Sequence, residues 1–136
     1  MVLRLKNKLD DRTETLINSV IGAAIEVHRE LGQGYLEKIY EQAMSLELRH
    51  RNLPHSTQTP VSIYYKGVKI HGQVLDIIVD NRVLIELKTV ETVLPIHEAQ
   101  ILSYLKSTGL QAGLLINFKE KLVKDGIKRF VHSNHY

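Results

Sequence analysis

The 136-residue sequence contains no cysteine. That absence excludes disulfides, thiolate nucleophiles and cysteine-ligated zinc or iron–sulfur centres. Tryptophan is also missing, and phenylalanine occurs twice. No apolar run approaches the ~20 residues that cross a bilayer. The stretch Met1–Asp10 alternates charge with leucine and has no apolar core of the kind a secretory signal requires. A soluble, cytoplasmic protein with no membrane association is expected. Prolines are few, at 54, 60 and 95, and no Gly/Ser/Pro linker or repeat divides the chain.

The remaining composition is that of one globular domain over 1–136, with 1–12 as an N-terminal extension. Apolar residues make up 43% and charged ones 24%. A chain of this length buries about two-thirds of its unfolded surface, enough for a core without staples. Lys and Arg number 18 against 15 Asp and Glu, a net +3 that permits a nucleic-acid partner without demonstrating one.

Periodicity sets the element order. Leu16, Ile17, Val20, Ala24, Val27 and Leu31 recur at helical steps, predicting a helix over Thr13–Leu31 capped by Asp11 or Thr13 and stopped at Gly32. A second helix is expected from Leu36 to Arg51, burying Leu36, Ile39, Tyr40, Ala43 and Leu46. By helical angle Glu47 falls inside that stripe. After Pro54 the period becomes two. Strands are expected around Val61–Tyr65, Val68–Ile70, Gln73–Val79 and Val83–Val90, with Asp80-Asn81-Arg82 as a turn. Pro95 opens a third helix ended by Gly109, Leu114–Asn117 reads as a buried strand, and Phe130-Val131 as an edge strand. The order α-α-β-β-β-α-β-β indicates an α/β fold with a mixed central sheet flanked by helices.

Chemistry concentrates at Asp76 and at Glu86-Leu87-Lys88. Glu86 and Lys88 leave one strand on the same face, and charges in so apolar a strand need a reason. If the turn holds three residues, Asp76 lies opposite Glu86, and two carboxylates across a strand pair repel. A divalent cation relieves that repulsion: carboxylates with a backbone carbonyl, here that of Leu87, and waters suit Mg²⁺ or Mn²⁺. Lys88 could then polarise an attacking water. A two-residue turn would instead turn Asp76 away. An ordinary ion pair between Glu86 and Lys88 on a solvated sheet is the plain alternative.

The set Asp76…Glu86-Leu87-Lys88 resembles the PD-(D/E)XK nuclease signature. Gly34-Tyr-Leu-Glu37-Lys-Ile-Tyr40 is similar to the pattern that names the GxxExxY family within that superfamily. The likeness continues through Tyr65–Lys69, Glu86–Val90, His97–Gln100, Leu115–Phe118 and Asp125–Arg129. It implies a restriction-endonuclease-like fold and Mg²⁺- or Mn²⁺-dependent hydrolysis of phosphodiester bonds, in DNA more than RNA. It implies Asp76, Glu86 and Glu37 as metal ligands, and Lys88 as the catalytic lysine. Gln100 and Tyr104 resemble a QxxxY pair placed beside the active centre, and Tyr40 and His97 fall in matching blocks as supporting residues. The family pattern has an arginine two residues before the aspartate, where this chain has Val74. For the other histidines, such as His50, His55, His132 and His135, a solvated position is expected.

Lys119, Lys121, Lys124, Lys128 and Arg129, against Glu120 and Asp125, form a basic segment that could hold phosphates or be simply solvated. The alternative function is a non-catalytic nucleic-acid-binding or protein-interaction module that keeps the nuclease fold. A homodimer, paired through the edge near Phe130, is compatible with both.

Overall fold

The computed structural model describes residues 9–132. Most of the expected N-terminal extension, and His135, lie outside the described residues. Leu9 is buried, and helix α1 (Asp11–Leu31) already occupies the extension's last two positions. Its cap is Asp10, rather than Asp11 or Thr13: the Asp10 side chain accepts from Thr13 N at 2.7 Å.

Helix α2 (Glu37–His50) buries Tyr40, Met44 and Leu48. Tyr40 lies inside as expected and Ala43 packs against the core, but the buried stripe then runs through Met44 and Leu48. Leu36, Ile39 and Leu46 stay exposed, at 65, 36 and 54%. The rotation also accounts for Glu47, which lies beside the buried stripe and bonds Arg51 one turn on at 2.9 Å.

Strands β1 (His55–Tyr65) and β2 (Val68–Val79) form one long antiparallel hairpin. The two short segments expected after Gly67 are thus a single strand, and β1 begins six residues before Val61. Strand β3 (Val83–Lys88) follows a three-residue turn in which Asp80 and Asn81 take left-handed φ values of 51° and 52°. Helix α3 (Pro95–Thr108) ends on left-handed Gly109. Strand β4 (Ala112–Asn117) is wholly buried, and a 3₁₀ turn at Val123–Gly126 leads into β5 (Ile127–Val131).

The sheet order is β1-β2-β3-β4-β5, with β3 and β4 parallel and every other pair antiparallel. It is the expected mixed α/β sheet. One core layer lies between the sheet and α1 and α2, built on Ile17, Val20, Tyr40, Met44, Ile85 and Leu114. A smaller one lies between the sheet and α3, formed by Leu75, Leu84, Ile101, Leu105 and Leu115. Phe118 stacks on Tyr40 with ring centroids 4.4 Å apart. Strand β5 is an edge, and its two central charges are tied to opposite sides: Lys128 to Glu98 of α3, Arg129 to Glu14 of α1. Charged edges of this kind resist pairing with further strands.

Candidate active site

The β2–β3 pairing runs Val79↔Val83, Ile78↔Leu84, Ile77↔Ile85. The turn therefore has three residues, and the register brings Asp76 level with Glu86. Backbone pairing stops at Ile77, and the Asp76 carboxylate takes over. Its Oδ2 accepts the Leu87 N–H at 2.9 Å, where a strand carbonyl would otherwise sit.

Alternation breaks at the same place. Leu75 packs in the α3-side layer, whereas Ile77, two residues on, packs in the α1/α2-side layer. On β1, the facing Gln58 adopts a left-handed φ of 48°, a conformation non-glycine residues seldom take and one that gathers at functional sites. The local twist sets Asp76 at the seam between the two layers. From one side it meets Glu37, Glu41, Gln58 and Leu87, with which it lines a cavity of about 390 Å³. From the other it meets Glu86, whose side follows that of Leu84 by strand alternation.

Glu86 is buried, at 7% exposure, so the solvated-sheet reading of the Glu86–Lys88 pair does not hold. Burial, with the neighbouring Asp76 charge, pushes its carboxyl up to about 7, against the pull of Lys88 and the Asp76 backbone N–H. Asp76 is also raised by burial, partly offset by the Leu87 N–H and by Lys88. Glu41 is raised by burial and by the charges of Asp76 and Glu37, although Gln58 donates to it at 2.6 Å. Four carboxylates and one lysine thus feel one another across the seam.

Glu37 stands exposed in the first turn of α2, where the helix dipole favours an acid. Tyr104 lies beside the seam on α3, its hydroxyl raised by burial and by the Glu86 and Asp76 charges. Gln100 is half-buried one turn earlier on the same helix. Tyr40 stands apart in the core, donating its hydroxyl to Gly32 O and so fixing the turn that delivers Glu37. His97 is engaged locally, and its Nδ1 accepts the Leu94 N–H at 2.9 Å at the start of α3. Val74 is 41% exposed on β2.

The basic segment is dispersed. Lys119, Lys128 and Arg129 pair with Glu91, Glu98 and Glu14. Lys121 and Lys124 border a separate cavity beside α1. Of the histidines, His55 is held between Ser45 Oγ at 2.7 Å and Leu53 O at 2.9 Å, rather than left to solvent.

Glu41 and Gln58 are the site residues the sequence reading missed. Glu41 had a signal, since it sits one helical turn after Glu37 and on the same face. Gln58 had none, because its role depends on a backbone twist in an otherwise ordinary strand.

The donors gathered here are carboxylate and carbonyl oxygens, the ligand class of Mg²⁺ and Mn²⁺. Among the described residues, no three His, Asp or Glu side chains are already close enough together to hold one ion. The donor chemistry and mutual repulsion fit a divalent cation; the present side-chain positions do not form a finished cage.

No curated protein and no solved structure matched the chain in comparisons with known proteins. A family model described as the PD-(D/E)XK nuclease superfamily matches residues 14–130, a span that takes in most of both core layers and all the acids of the seam. With Asp76, Glu86 and Lys88 on adjacent strands inside that match, the chain belongs to the PD-(D/E)XK nuclease superfamily.

Proposed function

We propose that this protein is a metal-dependent nuclease that hydrolyses phosphodiester bonds, in DNA rather than RNA, and that within its superfamily it falls in the GxxExxY group. The single observation that carries the reading is buried Glu86 beside Asp76, with Lys88 one step along the same strand face. Burying like charges is costly unless a cation joins them. Nucleases of this superfamily typically use divalent metals. The preference for DNA rests on analogy with the superfamily alone.

Asp76, Glu86 and the Leu87 carbonyl would hold the ion, with Glu37 completing the set from its exposed position on α2. When bound, the ion supplies Lewis acidity at the scissile phosphate and eases deprotonation of the attacking water. Lys88 orients the attacking oxygen and offsets the negative charge that grows on the phosphate. The Leu87 N–H keeps the Asp76 carboxylate aimed, so little reorganisation is needed as charge develops. Glu41 stands in reserve one turn behind Glu37, held by Gln58. Tyr104 walls the other side of Glu86, and its neutral hydroxyl adds no further charge there.

The test is incubation with single-stranded, duplex and branched DNA and with RNA, in Mg²⁺, Mn²⁺ or EDTA. The wild type is compared with Asp76→Ala and Lys88→Ala. Metal-dependent cleavage lost in both variants is expected. Cleavage that survives either substitution rules out the site. Salt-sensitive binding without cleavage of any substrate would favour a non-catalytic module.

A further inference from the structure

The distal half of the β1–β2 hairpin extends past the core. Tyr64, Tyr65 and Val68 are 65, 62 and 64% exposed, and Ile70 is 48% exposed. Cross-strand pairing places Ile63 opposite Ile70 and Tyr65 opposite Val68, so these four share one face; Tyr64 and Lys69 pair on the other. Isolated exposed apolar residues need no explanation, but a contiguous set does. The charge is one-sided as well. No Asp or Glu occurs between Glu47 and Asp76, whereas Lys66 and Lys69 flank the tip and Arg49 and Arg51 lie near the base of β1. Lys66 Nζ stands 5.5 Å from the Tyr65 ring centroid.

The hairpin also connects to the site. Val61, which packs in the α3-side layer, pairs with Gln73, and three residues beyond Gln73 comes Asp76. By strand alternation the apolar face of Ile63 and Tyr65 continues that of Val61. The uncovered face thus runs from the tip toward the wall formed by Gln73 and Tyr104.

We infer that the β1–β2 hairpin is a single-strand-binding arm: unpaired bases stack on Tyr65 along the uncovered face that leads toward the seam, the strand crosses the tip where Lys66 holds a phosphate, and it meets Tyr64 and Lys69 on the opposite face. An acid-free surface carrying exposed aromatic rings and lysines is the combination that binds single strands without sequence preference, since every base offers a flat face and every phosphate a charge. The inference rests on the nuclease reading for where the strand goes, but not for whether it binds.

The experiment measures fluorescence anisotropy of a labelled 20-nucleotide mixed-sequence DNA with the full chain in EDTA, so that no cleavage interferes. Tyr64→Ala and Tyr65→Ala should each weaken binding about 10-fold, while Tyr64→Phe and Tyr65→Phe stay near wild type. Lys66→Gln with Lys69→Gln should flatten the dependence of log K on log salt by about 0.7 for each lysine. A duplex of the same sequence should bind more weakly than the single strand. Unchanged affinity in the alanine variants overturns the inference, even if the protein cleaves DNA. So does equal affinity for duplex. A wild-type dimer that the alanine variants convert to monomer in sedimentation, with DNA affinity unaltered, would assign the face to a second copy and overturn it too. Arm-dependent binding with no cleavage in any metal would support the arm and count against the nuclease reading.

Discussion

Asn117 holds Val90 by both of its backbone groups: Nδ2 donates to Val90 O at 2.8 Å, and Oδ1 accepts Val90 N at 3.1 Å. Asn117 is 2% exposed and pairs with Lys88 across the parallel β3–β4 ladder. Phe118 N adds a bond to Lys88 O at 2.9 Å. The end of β3, and with it Lys88, is therefore anchored from β4.

Asn117→Ala removes that clamp and leaves the Val90 amide and carbonyl without their partner. A loss of about 2–4 kcal/mol in urea unfolding is expected. Cleavage should fall further than the lost folded fraction explains, because Lys88 loses its fixed position. Equal specific activity per folded molecule would show that the clamp serves stability alone.

Glu86 gives stability a pH dependence of definite sign. Its carboxyl titrates near 4.5 when unfolded and at about 7 when folded. Between those values the folded state holds the extra proton. The contribution of this group is thus fully present below about 4.5, declines as pH rises to about 7 and levels off above it, a fall of about 3 kcal/mol. Asp76 and Glu41, both raised, act in the same direction. Glu86→Gln should be the more stable protein at pH 8, with a flatter profile in denaturant titrations from pH 4.5 to 8. A wild-type profile that rises over this range would contradict the buried pair.

Divalent cations should stabilise the fold where these carboxylates are ionised. At pH 8, millimolar Mg²⁺ or Mn²⁺ is expected to raise Tm by several degrees, by binding folded but not unfolded chains. At pH 5 the effect should shrink as Glu86 takes up its proton. Asp76→Asn, which keeps an acceptor for the Leu87 N–H, should abolish the shift without unfolding the protein. An equal Tm rise in Asp76→Asn would place the ion elsewhere.

Tyr40 separates packing from hydrogen bonding. Tyr40→Phe keeps the stack on Phe118 and loses only the bond to Gly32 O, so about 1 kcal/mol is expected. Tyr40→Ala opens the core between α2 and Phe118 and should cost about 3–5 kcal/mol. A cleavage rate per folded molecule that is unchanged in Tyr40→Phe would confine Tyr40 to the scaffold.

Much of this was written locally in the chain. The turn residues Asp80-Asn81-Arg82 and the alternation of β3 gave Asp76 level with Glu86 as one of two registers, and the three-residue turn of the structure decides between them. The inner face of α2 was legible only at Tyr40 and Ala43. Leu36, Ile39 and Leu46 form one apolar stripe and Tyr40, Met44 and Leu48 an adjacent one; hydropathy ranks them alike, and only packing on the sheet decides. His97 sits in a block shared with the family pattern, yet it serves the start of α3, where Leu94 has no side-chain oxygen to cap the helix. Nothing in the local sequence distinguishes those two uses.

The break in alternation at Asp76 bears on how such a site could be transferred. Copying the spacing Asp76…Glu86-Leu87-Lys88 onto a flat, regular hairpin would keep Asp and Glu on one face and lose the approach to Glu37 and Glu41. The grammar of the site is therefore a spacing plus a kink, and opposite the kink stands Gln58, left-handed and bonded to Glu41, on a strand that carries none of the signature residues.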